Sequence, residues 1–81
     1  MTKQEIKAII IEEILNIAPE TDEADIPEGD RLQSAIEFDS YDFLTLLTAL
    51  FDRLKVEVPE NDYGMVGTLN DMVDYFAGRM G

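Results

Sequence analysis

The side chains in this chain that can do chemistry are carboxylates and hydroxyls. Its 81 residues hold 18 Asp and Glu against 6 Lys and Arg, and neither His nor Cys. Without His there is no imidazole base, no imidazole metal ligand and no His-dependent triad. Without Cys there is no disulfide framework and no thiolate zinc site. The acids Glu20, Asp22, Glu23, Asp25, Glu28 and Asp30 crowd one stretch, but the D-x-[DN]-x-[DN]-G spacing of a calcium loop is absent and they read as solvated. No nucleophile–base pair or metal cluster can be assembled from these residues, so a catalyst is not expected. One short run has the right types in the right place: Asp39-Ser40-Tyr41-Asp42 opens an amphipathic segment with a carboxylate and a hydroxyl. Either Asp39 or Ser40 can act there as a helix N-cap.

The elements around that run are helical in pattern. Thr2-Lys3-Gln4-Glu5 has the form of a capping box, and Ile6, Ile9, Ile10, Ile14 and Ile17 follow at helical spacing, widened by Ile11 and Leu15. Pro19 ends this first helix. Residues 18 to 37 carry Pro19, Pro27, Gly29 and the acids named above, and read as a long acidic loop pinned by Ile26, Leu32 and Ile36. The second helix runs from Asp39-Ser40 to about Lys55, ahead of Pro59. Val56-Glu57-Val58 is too short an alternation for a sheet. Asn61 to Val66 allows a brief helical turn, limited by Gly64 and Gly67. Thr68 is placed to cap a last helix whose apolar face is Leu69, Met72, Val73, Phe76 and Met80. The expected fold is all-α, a small bundle of three main helices plus one short helix, in one domain over residues 1–81.

The second helix has more apolar surface than one buried face explains. On a wheel turning about 100° per residue, Leu46, Leu47, Leu50 and Leu54 fall within about 60° of Phe43. Leu44 and Phe51 lie roughly 80–100° away, with Thr48 and Tyr41 continuing around that side. Two readings stand: a bundle that wraps the helix widely and buries both stripes, or a second stripe of Tyr41, Leu44, Thr48 and Phe51 that is partly exposed for protein recognition.

Charge narrows the partners. A net charge of −12 repels phosphate backbones and anionic lipid, so nucleic acid and membrane surfaces fit poorly and basic patches on other proteins fit well. The longest apolar run near the start, Ala8 to Ile11, is too short for a signal peptide or a membrane span, which favours the cytoplasm and no membrane insertion. Hydrophobic residues make up 46%, enough for a core that must supply the stability of so small a domain unaided.

In this setting the run Glu37-Phe38-Asp39-Ser40-Tyr41-Asp42-Phe43-Leu44 resembles the acyl carrier protein family, in which a D-S-L motif opens the second helix. Leu54-Lys55-Val56-Glu57-Val58-Pro59, the acidic Glu60-Asn61-Asp62, Thr68-Leu69 and Val73-Asp74-Tyr75-Phe76 follow in the family's register without a gap. The resemblance spans nearly the whole chain and is most specific from Asp39 to Phe76. It departs from the family in several respects, among them a somewhat longer loop before the motif. Tyr41 replaces Leu, Glu37 stands where Gly is usual, and Thr45 and Phe51 occupy positions where acids are common. That pattern suggests a specialised carrier for a dedicated pathway.

The resemblance implies that Ser40 carries 4′-phosphopantetheine, donated by coenzyme A through a separate Mg²⁺-dependent phosphopantetheinyl transferase. The arm would hold acyl groups as thioesters for fatty acid, lipid or lipopolysaccharide, or polyketide-type synthesis, and the carrier would act as a monomer. Asp39, Tyr41, Asp42, Leu44, Thr48 and Phe51 would face the transferase and the acyl-loading and acyl-transfer enzymes, through basic or apolar patches on those partners. An acyl pocket is expected among Leu46, Leu50, Leu54, Val58, Tyr63, Val66, Met72 and Phe76, between the second helix and the last two; a plain packed core is the alternative for each. The other functions weighed are an aminoacyl or peptidyl carrier and an unmodified helical interaction module.

Overall fold

The computed structural model describes residues 1–36 and 38–80. Glu37 lies outside the described residues. Four α-helices form: α1 (Lys3–Ile17), α2 (Leu32–Ala35), α3 (Ser40–Leu54) and α4 (Leu69–Met80). A 3-10 turn at Glu23–Asp25 and a 3-10 segment at Glu60–Val66 lie between them. No strand forms among the described residues; Arg31 and Thr68 make an isolated antiparallel bridge.

Helix α1 starts where its capping box places it. The Thr2 hydroxyl accepts the Glu5 N–H, and the Glu5 carboxylate accepts the Thr2 N–H in return. The bond from the Thr2 N–H, and then the nearby Thr2 hydroxyl, hold the Glu5 carboxyl below its ordinary range. The helix ends at Ile17, one residue before the Ala18 that precedes Pro19, because a residue before proline is pushed out of the α region. Ile6, Ile10 and Ile14 are fully buried, and α1 packs against both α3 and α4. The three long helices therefore share one core, centred on those three isoleucines.

The segment between α1 and α3 is more structured than a plain loop. Ile26 and Leu32 are buried and Ile36 packs against the core. Main-chain bonds then fasten the segment to the start of α4. The Asn70 N–H donates to the Glu28 carbonyl at 2.9 Å, and the Leu32 N–H donates to the Gly67 carbonyl at 3.0 Å. The Thr68 hydroxyl accepts the Asp71 N–H at 3.0 Å, as the expected cap of that helix. A carbonyl from the long connection and a side chain of the helix's own cap thus satisfy N–H groups that a helix start otherwise leaves open. The short α-helix falls here, at Leu32–Ala35, while the brief helix expected over residues 61–66 is the 3-10 segment Glu60–Val66.

That 3-10 segment is clipped to α4 by side chains. The Tyr75 hydroxyl donates to Asp62 Oδ2 at 2.8 Å, and Arg79 donates to the same oxygen at 3.2 Å while its guanidinium sits 4.6 Å from the Tyr75 ring centre. Burial first, and then the bond to Asp62, push the Tyr75 phenol above its ordinary value. Tyr75 is consequently a core residue of α4, whereas Met80, expected on the apolar face, is exposed where the helix runs out past its neighbours.

Helix α3 ends at Lys55, whose φ of 59° and ψ of 32° are left-handed, with its N–H donating to the Phe51 carbonyl at 2.8 Å. A side chain at this conformation is disfavoured where glycine is not. Lys55→Gly is expected to stabilise the fold by about 0.5–1 kcal/mol. Thermal unfolding followed by circular dichroism should show a midpoint higher by a few degrees, with the helical signal unchanged.

Candidate functional site

The start of α3 is set by three neighbouring residues. Asp39 is the N-cap, and its carboxylate accepts the Asp42 N–H at 2.8 Å. Phe38 before the cap and Phe43 four residues into the helix are both buried. These are the two positions of a hydrophobic staple, which fixes the angle at which a chain enters a helix. Ser40 is thereby the first helical residue, held between two buried aromatics and itself exposed. Of the two N-cap candidates in the sequence, Asp39 takes the role, and the Ser40 side chain is left available to solvent.

Beside Ser40 lies an open cavity of about 290 Å³, lined by Arg31, Gln33, Ser40, Phe43, Leu44, Tyr63, Gly64 and Gly67. Tyr63 reaches it from the 3-10 segment and stacks edge-on against Phe43, with ring centres 5.8 Å apart. A second groove of about 470 Å³ runs on along α3, past Leu44, Leu47, Thr48, Phe51, Glu57, Val58 and Tyr63. Leu44 and Tyr63 line both, so the two openings adjoin as a largely apolar track between α3 and the 3-10 segment, with Ser40 at its head.

The two stripes of α3 separate as the wheel predicts. Phe43, Leu46, Leu47, Leu50 and Leu54 are buried, while Tyr41 is 77% exposed and Leu44 and Phe51 are each 45% exposed. Thr45 and Thr48 turn their hydroxyls back onto the carbonyls of Tyr41 and Leu44, both at 3.0 Å, so this face offers methyl groups more than hydroxyls. Thr48 lies on the same face, and the acid that borders it is Asp52, beside Tyr41, Leu44, Thr45 and Thr48. The half-buried Asp42 sits in the first turn, on the other side of the buried stripe. Helix α3 thus carries an exposed face of aromatic and leucine side chains next to an accessible hydroxyl.

The eight residues named for an acyl pocket divide. Leu46, Leu50, Leu54, Val66, Met72 and Phe76 are packed in the core, and Val58 and Tyr63 line the open track. Arg31, Gln33 and Gly64 were not singled out in the sequence, yet they line the cavity at Ser40. One signal pointed to Arg31: it is the only basic residue between Lys7 and Arg53. No group of His, Asp and Glu placed to hold a metal occurs among the described residues.

A side chain attached covalently at Ser40 would meet an exposed hydroxyl, an open cavity, a guanidinium and an apolar track leading away, and these fit an anionic group with a long flexible tail. Comparison with known proteins points the same way. Residues 4–76 match the family described as "Phosphopantetheine attachment site". The chain is 29% identical over 77 residues to an acyl carrier protein of Chlamydia muridarum, covering 95% of this chain and 94% of that one. It is 28% identical over 71 residues to an acyl carrier protein of Wolinella succinogenes, covering 88% of this chain and 87% of that one.

The exposed stripe is separable from the core by mutation. Phe51→Glu is expected to change stability by less than about 1 kcal/mol, as for other surface changes, whereas Leu46→Ala should cost about 2–5 kcal/mol. Denaturant unfolding of both variants checks this pair. Equal destabilisation would place Phe51 in the core.

Proposed function

Since the chain belongs to the phosphopantetheine attachment site family, as an acyl carrier protein with covalently attached 4′-phosphopantetheine, we propose that Ser40 is the attachment residue and that α3 presents the loaded arm to partner enzymes. The observation that carries this reading is the exposure of Ser40 at the first position of a capped helix, at the head of an apolar track. When bound, the arm supplies a terminal thiol that carries acyl groups as thioesters.

Each residue of the site then has a task. Ser40 Oγ would take the arm by displacing adenosine 3′,5′-bisphosphate from the pyrophosphate of coenzyme A, forming the phosphodiester and passing its proton to the transferase, so the carrier needs no base of its own. Asp39 holds the turn in place through its bond to the Asp42 N–H. The open N–H groups and dipole of the first turn favour the added negative charge, which Asp39 and Asp42 oppose. Leu44, Val58 and Tyr63 line the track on which a short acyl chain can rest. Tyr41, Leu44, Thr48 and Phe51 form the docking face, with Asp39 and Asp42 in the first turn beside Ser40 for basic groups on the transferase and acyl-transfer enzymes.

The scarcity of acids on this face separates it from a purely electrostatic docking surface. Asp42 and Asp52 are the acids of α3, and Arg53 is drawn to Glu12 and Glu13 of α1, at 3.3 and 3.2 Å. Partners that bury Phe51 and Leu44 suit it better than partners that only carry charge. This favours a dedicated set of acyl-handling enzymes, with aminoacyl loading as the second cargo class. A cytoplasmic location agrees with the acidic surface, and no helix among the described residues is long and apolar enough to cross a membrane.

The test is incubation with coenzyme A, Mg²⁺ and a broad-specificity phosphopantetheinyl transferase, followed by intact-mass measurement. One added arm is expected for the natural chain and none for Ser40→Ala. An unmodified natural chain, or a variant that still gains the arm, would refute the assignment.

A further inference from the structure

The cations of this chain are mostly spoken for. Lys3 pairs with Asp74, Lys7 with Glu28, Arg53 with Glu12 and Glu13, and Arg79 with Asp62. Arg31 has no such pair among the described residues, although it sits in the most acidic stretch of the chain. Its main chain is anchored on both sides, by the bridge to Thr68 and by the Leu32 N–H bond to the Gly67 carbonyl. Its side chain folds back over Gly67, so closely that a Cβ on Gly67 would stand 2.8 Å from Nη1 and 3.0 Å from Cζ. Gly67 itself has an ordinary helical φ of −78°, so close approach, and not backbone conformation, is what a larger residue would disturb.

The guanidinium held this way lines the same cavity as Ser40. Gln33 adds an amide to that lining, and the rest of it is Phe43, Leu44, Tyr63 and two glycines. A carboxylate on the cavity wall would be the ordinary partner for this arginine, and among the described residues the lining contains none.

We propose that Arg31 is the phosphate-binding residue of this carrier, pairing with the phosphodiester on Ser40 and holding the root of the arm in the cavity over Gly67. This rests on the reading of Ser40 as the attachment residue. A phosphodiester bears one negative charge spread over two free oxygens, and a planar guanidinium can donate to both. The Gln33 amide supplies further donors. The charge added at Ser40 falls beside Asp39 and Asp42 in a chain already at −12, and Arg31 offsets it locally. Arg31 is a positioning residue: it turns the arm toward Leu44 and Tyr63, and so toward the track along α3. Because Arg31 is exposed overall, the pair is open to screening by salt.

The experiment compares phosphorus NMR of the arm-bearing natural chain with arm-bearing Arg31→Gln and Gly67→Ala. Intact mass first establishes that each carries the arm; failure to load at all speaks against Ser40, not against Arg31. In the natural chain the phosphodiester resonance should shift with added NaCl and move toward the value of Arg31→Gln, which should itself respond little. Gly67→Ala keeps the charge but displaces the guanidinium, and should give the Arg31→Gln resonance at low salt. A natural chain and Arg31→Gln with the same resonance and the same salt response would overturn the proposal. Should Arg31→Gln load but fold poorly, Gly67→Ala decides alone: an unchanged resonance overturns the proposal and a shifted one supports it.

Discussion

The bond from the Asp42 N–H to the Asp39 carboxylate, at 2.8 Å, decides where α3 begins, and everything at the site depends on that starting point. With Asp39 as cap, Phe38 falls before the helix and Phe43 one turn into it, and both enter the core. Ser40 then falls between the two anchors, with its hydroxyl exposed and not used as the cap. If the helix began one residue later, Ser40 would be the cap, its hydroxyl would be engaged with an N–H of the first turn, and Leu44 would take the buried staple position. The same small carboxylate thus keeps the serine free and the leucine outside.

Exposure of α3 on one side follows from how the bundle is filled. Helix α1 lies against α3 and α4 and presents Ile6, Ile10 and Ile14 to both. The connection between α1 and α3 closes the core with Ile26, Leu32 and Phe38, and the 3-10 segment closes it with Val66. Among the described residues no element covers the side of α3 that holds Tyr41, Leu44, Thr48 and Phe51. The open track along that side is walled by Tyr63 and Val58, and it begins at Ser40. On the proposed assignment of Ser40, a tethered group and an incoming enzyme would meet at the same face of one helix. The large negative charge keeps a chain with such a face in solution.

Much of this was legible before the structure. The Thr2 capping box, the end of α1 before Pro19, the buried stripe of α3 and the Thr68 cap each rest on local rules of spacing and side-chain hydrogen bonding, and each appears as read. The division of α3 into two stripes was visible on the wheel, but which readings of the second stripe held was not, since that depends on what the rest of the bundle covers. The choice between Asp39 and Ser40 as cap was open for a similar reason: it turns on Phe38 finding a place in the core. The helix at Leu32–Ala35 and the approach of Arg31 to Gly67 arise from contacts across more than thirty residues of chain, to which periodicity is blind. Tyr75 was missed because its burial requires the Asp62 and Arg79 partners that satisfy its hydroxyl.

The central claim is that one particular hydroxyl, exposed by the geometry of a helix start, bears the arm. Trypsin cleaves after Arg31 and Arg53 and releases a peptide of residues 32–53 that contains Ser34, Ser40, Tyr41, Thr45 and Thr48 together. Fragmentation of that peptide from the arm-bearing protein locates the phosphodiester among these competing hydroxyls. The account predicts fragments that place it on Ser40; a phosphodiester on any of the other four, or outside this peptide, would contradict it.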